Sequence, residues 1–112
     1  MDIINHSDFL KVKIAVGTIL HAKENNFLKK PSVILEIDFG SHIGIKKSSA
    51  QLKSNYDSQN LINRQILAVV NFPSKQIGNL ISEVLVLGLP DKNDNPILVS
   101  PDLKIKNGKL LY

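Results

Sequence analysis

The apolar residues of this chain fall mainly into short alternating runs, the period-two signature of half-buried strands, and not into the 3.6-residue stripes of amphipathic helices. Val12, Ile14 and Val16 alternate with Lys13, Ala15 and Gly17 before the run passes into Ile19 and Leu20, which predicts a first strand over 12–20. Gly17 has no side chain to resist a corner, so the bend or bulge of that strand is expected there. Residues 23–31 are polar and end on Pro31, which cannot donate to a sheet ladder, so they read as a loop. Residues 32–39 are β-branched and alternate, with Val33, Leu35, Ile37 and Phe39 on one face and Ile34, Glu36 and Asp38 on the other.

Gly40 and Ser41 supply a turn, and 42–47 read as a third strand. Ser48 or Ser49 can then cap a short helix over 50–56, because a hydroxyl satisfies an otherwise unpaired first-turn amide. Two further strands are expected over 63–72, ended by Pro73, and over 82–89, with a Ser-, Lys-, Gln-, Gly- and Asn-rich loop between them. Residues 90–96 are a turn signal, and 97–99 can add a short strand. Near the start, Ser7 is placed to cap a brief helix. No repeat, charge block or linker divides the chain, so a single domain over 1–112 is expected. The order predicts an all-β protein: a five-stranded OB-fold barrel with a short helix between strands 3 and 4 and a short N-terminal helix.

At 112 residues, one hydrophobic core of Ile, Leu and Val can be stable without staples, burying roughly two-thirds of the unfolded surface. There is no cysteine, which removes disulfides, thiol nucleophiles and thiolate metal ligands. His6, His21 and His42 have no paired-ligand spacing, so no metal and no cofactor are expected. Asp38, Phe39 and Gly40 spell a kinase metal motif, but nothing else of a kinase accompanies it, and the glycines form no phosphate-binding loop. A non-catalytic protein is expected. Residues 1–10 carry two acids and a histidine where a secretory leader has basic residues and an apolar run, and no apolar stretch approaches the ~20 residues of a membrane span. A cytoplasmic location is expected. Fourteen basic residues against ten acidic ones suit a polyanionic partner without requiring one.

Three blocks sharpen this: Gly44, Ile45, Lys46, Lys47, Ser48, Ser49, Ala50, Gln51; then Val69, Val70, Asn71, Phe72, Pro73; then Ser82, Glu83, Val84, Leu85, Val86, Leu87, Gly88. In this order, with Val16, Gly17, Ile19 and Ile37, Asp38, Phe39, Gly40 ahead of them, the chain resembles the CsaA-type secretion chaperones and stand-alone tRNA-binding domains over roughly residues 8–110. The resemblance implies an OB-fold homodimer that binds tRNA, with unfolded preproteins or the export machinery as further partners. Ala15 stands where that family usually has Arg, and Ser74 and Lys75 where it often has a Pro-Arg pair. An ammonium lacks the bidentate fork of a guanidinium, so weaker or less selective RNA contacts are implied.

The candidate RNA-binding residues are Phe27, Lys30, Lys46, Lys47, Ser48, Ser49, Gln51, Asn71, Lys75, Gln76, Ser82 and Glu83. The lysines would meet phosphates, and the neutral groups would read base edges or the ribose hydroxyl. Phe27, in a polar loop, is the candidate for base stacking, whereas Phe39 and Phe72 sit in apolar strand contexts and read as core or interface. Ser48 is as well explained by capping and Asn71 by a turn, and Glu83 either accepts from a base amino group or holds a neighbouring lysine. The alternative function is a chaperone that takes unfolded preproteins into an apolar groove, with RNA binding secondary. Dimerisation would cover apolar residues in excess of one small core, including Ile97, Leu98, Val99, Leu110 and Leu111.

Overall fold

The computed structural model describes residues 1–25 and 31–112. A short helix α1, His6–Lys11, opens the chain. Its cap is Asn5 and not the expected Ser7: the Asn5 amide donates to the Asp8 carboxylate at 3.1 Å, and Ser7 already lies inside the first turn.

Strand β1, Ile14–Asn25, outruns its predicted end because its polar half has a partner. Ile14 to Thr18 pair with β4, Gln65–Val69, and the rest pairs with β2, Ser32–Asp38, as far as Asn25 against Ser32. The register slips between Ile19 and His21, so the irregularity sits at Leu20 and not at Gly17. Gly17 serves close packing instead. A Cβ there would lie 2.6 Å from Ile37 Cγ2 and 2.7 Å from the Phe39 ring.

The inward face read from the sequence for residues 32–39 is the observed one, with Val33, Leu35, Ile37 and Phe39 all buried. Residues Gly40–Ile43 form a helical turn, α2, where the third strand was expected to start; φ values of +87° at Gly40 and +92° at Gly44 turn the chain at both ends. Strand β3, Ile45–Ala50, therefore begins later and includes Ser48 and Ser49, which cap nothing. Residues 50–56 are not helical; the helix between the third and fourth strands is the later single turn α3, Ser58–Leu61, capped by Asp57, whose carboxylate accepts from the Asn60 amide at 2.9 Å. Leu52 and Leu61 enter the core from this connection.

Residues 74–81 were expected to be loop, yet they contain a hairpin of β5, Lys75–Ile77, and β6, Leu80–Ser82. The predicted strand over 82–89 is divided because its parts have different partners. Ser82 ends β6, β7 (Leu85–Val86) pairs with β4, and β8 (Gly88–Pro90) pairs with β9 (Pro96–Leu98).

The main sheet has the order β3-β2-β1-β4-β7 and curls until residues 82–84 meet β3. There the Glu83 amide donates to the Lys47 carbonyl at 2.8 Å, and the Ser48 hydroxyl donates to the Val84 carbonyl at 3.0 Å. Inside lie Ala15, Ile19, Leu35, Ile37, Phe39, Ile66, Ala68, Val84 and Leu98, each fully burying on the order of 1.5–3 kcal/mol of transfer free energy for its larger members. This is the expected OB-type barrel with its helix between the third and fourth strands. Among the described residues no helix is long and apolar enough to cross a membrane.

Candidate nucleic-acid interface

The seam that closes the barrel gathers several of the sequence candidates. Lys46 and Lys47 stand next to one another on β3, so their side chains leave opposite faces of the strand. Glu83 binds both positions: its carboxylate lies 3.9 Å from Lys46 Nζ and accepts from the Lys47 amide at 3.0 Å. It thereby holds a lysine and latches the seam. The ion pair is about one-third exposed, so its own contribution is within ~0–1 kcal/mol.

Ser82 carries the arrangement on to the hairpin. Its hydroxyl accepts from the Ser49 amide at 3.3 Å and donates to the Val84 carbonyl at 3.3 Å, and Lys75 is its cross-strand neighbour. Beside it a cleft of about 200 Å³ is lined by Ser49, Phe72, Lys75, Ser82, Glu83 and Leu85, among others. Phe72 is half exposed there, so it is not part of the core. β4 ends at Val69, short of the predicted end at 72, which puts Phe72 past the last rung of the ladder.

Other candidates are engaged elsewhere. Ser48 is buried and its hydroxyl is used on Val84. Asn71 accepts from the Lys13 amide at 2.9 Å and donates to the Lys11 carbonyl at 2.8 Å, so it ties down the link from α1 to β1, not the turn before Pro73. Gln76 donates to Gly78 O at 2.7 Å within its own hairpin. Gln51 is exposed but lines a different cleft, with Lys53 and Asn93 to Asn95. Phe27 and Lys30 lie outside the described residues. Ala15 is fully buried in the core, so a guanidinium is not missing from the surface at that position. No group of three His, Asp or Glu side chains among the described residues is arranged to hold a metal ion.

A curled barrel whose closing seam presents lysines, small polar groups and an exposed ring has the ingredients of an oligonucleotide-binding module: cations for the backbone and a stacking surface for bases. The chain belongs to the family described as "Putative tRNA binding domain", whose model matches residues 14–110. Its fold matches the chaperone CsaA of Bacillus anthracis (TM-score 0.93, 40% identity, 99% of this chain and 100% of that one). It likewise matches the CsaA chaperone of Picrophilus torridus (TM-score 0.90, 45% identity, 98% and 100%). The methionine–tRNA ligase of Methanococcoides burtonii is 29% identical over 99% of this chain, which spans only 16% of that enzyme's length.

Proposed function

We propose that this protein binds tRNA without catalysing a reaction on it, through the cleft between β3 and the β5–β6 hairpin. The supporting observation is the placement of Lys75, Ser49 and Ser82 in one cleft with the exposed ring of Phe72, beside the Glu83 carboxylate that pairs with Lys46. Lys75 in the cleft and Lys46 at its edge would meet phosphates, Phe72 would offer a stacking surface, and Ser49 would offer its hydroxyl to a base edge or a ribose. Burial of Ser48 and the engagement of Asn71 argue against direct RNA contacts from either. A cytoplasmic location accords with this partner.

The second reading is capture of unfolded preproteins. It draws on the apolar wall of the same cleft, where Phe72 and Leu85 are each 50% exposed. In either case we propose a homodimer that covers exposed Ile97, Leu110 and Leu111 and doubles the binding sites, raising avidity. Leu98 is in the core and has no part in that surface.

Fluorescence anisotropy of labelled tRNA and of an unfolded preprotein segment, across a range of salt, separates the readings. RNA binding weakens with a log–log slope of roughly 0.7–0.9 per phosphate contact, and apolar capture does not. Lys46→Ala/Lys75→Ala should lower tRNA affinity and flatten that slope. Unchanged tRNA binding in the double variant would remove the seam as the site.

A further inference from the structure

A second electropositive surface lies at the other end of β4. The strand begins at Gln65 beside a cleft of about 420 Å³ and leads towards Phe72 at the seam. The cleft is lined by Thr18, Asn63, Arg64, Gln65, Ser100, Pro101 and Lys104, with no carboxylate. Arg64 is the only arginine in the sequence. Its guanidinium sits 5.2 Å from the Tyr56 ring centroid and donates to the Asn60 carbonyl at 3.5 Å, which restricts its motion at the cleft rim.

The floor is built, not incidental. Asn107 Oδ1 accepts from Thr18 Oγ1 at 2.8 Å and from Gln65 Nε2 at 3.0 Å, and the Ile105 amide donates to Gln65 Oε1 at 3.0 Å. These bonds hold the segment carrying Lys104 and Lys106 against the barrel. Past Asn107 a smaller cleft adds Lys106, Lys109 and His42, again with no lining carboxylate. Among the described residues the lysines in ion pairs are Lys11, Lys46 and Lys53, and Arg64, Lys104, Lys106 and Lys109 form none. Lys46 at the seam, by contrast, is partnered by Glu83.

We infer that this surface is a second contact for the phosphodiester backbone of a folded RNA, with Arg64 and Lys104 as its principal groups. The inference rests on the RNA-binding reading above and extends it to a different face. Arg64 offers a planar fork to a phosphate, Lys104 a point charge across the cleft, and Asn63, Ser100 and Thr18 hydroxyl or amide groups for a neighbouring ribose. A folded RNA, which presents more than one backbone segment, can touch both ends of β4 at once.

The test is a titration of the isotopically labelled full chain with tRNA. Signals of Arg64, Gln65, Ser100 and Lys104 report this surface, and those of Lys47, Lys75 and Glu83 report the seam. Saturable shifts in both groups are expected. Shifts in the first group alone uphold the second surface and remove the seam as the site. Shifts at the seam alone, or in neither group, overturn the inference, as does a response of the first group to an acidic peptide but not to tRNA. In a parallel measurement Arg64→Gln/Lys104→Gln, both at exposed positions, should reduce the salt slope of tRNA binding by roughly 0.7–0.9 per lost contact. An unchanged slope in a variant with wild-type melting behaviour would also overturn it.

Discussion

Asn71 and Gly17 illustrate how one residue type serves different ends in different surroundings. In the sequence Asn71 stands directly before Phe72 and Pro73 and reads as a turn residue or an RNA contact. In the fold it bridges the backbone of Lys11 and Lys13, about sixty positions earlier in the chain. No local pattern carries such a contact, because its partners become neighbours only when α1 is laid against the barrel. Asn71→Ala should therefore cost about 1–2 kcal/mol in urea unfolding, from two lost hydrogen bonds, while leaving the salt slope of tRNA binding unchanged. A flattened slope with unaltered stability would instead make Asn71 an RNA ligand. Gly17 was legible as a special position, but for the wrong reason: the bend is at Leu20, and Gly17 makes room for Phe39. Gly17→Ala should destabilise by about 1–3 kcal/mol through overpacking, measured by the same unfolding curve, with the pairing of β1 and β4 preserved.

Elements were readable where burial imposed a period and unreadable where pairing alone decided. The face of Val33, Leu35, Ile37 and Phe39 follows from alternation, since one side of β2 must be apolar. The second half of β1 is polar and the strands of the β5–β6 hairpin are three residues each, too short to show a period, so their backbone bonds, not their side-chain pattern, make them strands. The turn between β8 and β9 was legible from its Asp and Asn residues, and its mechanism is now specific. The Asp91 carboxylate accepts from the amides of Asn93 at 2.8 Å and Asn95 at 2.9 Å, and from Asn55 Nδ2 at 3.0 Å. The bond from Asn55 first, then those from Asn95 and Asn93, hold its pKa below the ordinary 3.8. A lowered carboxylate pKa means that the stabilisation is complete above 3.8 and is lost as the pH falls through the folded value. Amide shifts of Asn93 and Asn95 followed against pH should thus share one midpoint below 3.8, and Asp91→Ala should abolish that titration. A midpoint at or above the ordinary value would mean that the carboxylate does not hold the turn.

At the scale of the molecule, the C-terminal residues behave as part of the barrel, as their mixed polar and apolar composition allowed but did not specify. Leu111 donates to the Ile14 carbonyl at 2.8 Å, Val16 to the Lys109 carbonyl at 3.1 Å, and Gly108 to the Val16 carbonyl at 2.8 Å, so the segment runs along β1 near its pairing with β4. The same segment supplies Lys104, Lys106 and Lys109, so it joins stability to the charge of the second surface. Gly108 is the point on which this depends. Its φ of +93° is costly for an L side chain, and a Cβ there would lie 2.6 Å from the Phe39 carbonyl oxygen. Gly108→Ala cannot be absorbed by a rotamer change, because the obstacle is backbone. The segment must lift, releasing the bonds at Asn107 and exposing β1. The expected result is faster hydrogen exchange at Val16, Gly108 and Leu111, a fall in stability of about 1–3 kcal/mol, and a weaker salt dependence of tRNA binding with the seam signals unmoved. Protection at those three amides equal to that of the unaltered chain would mean that the segment is not held by the geometry at Gly108.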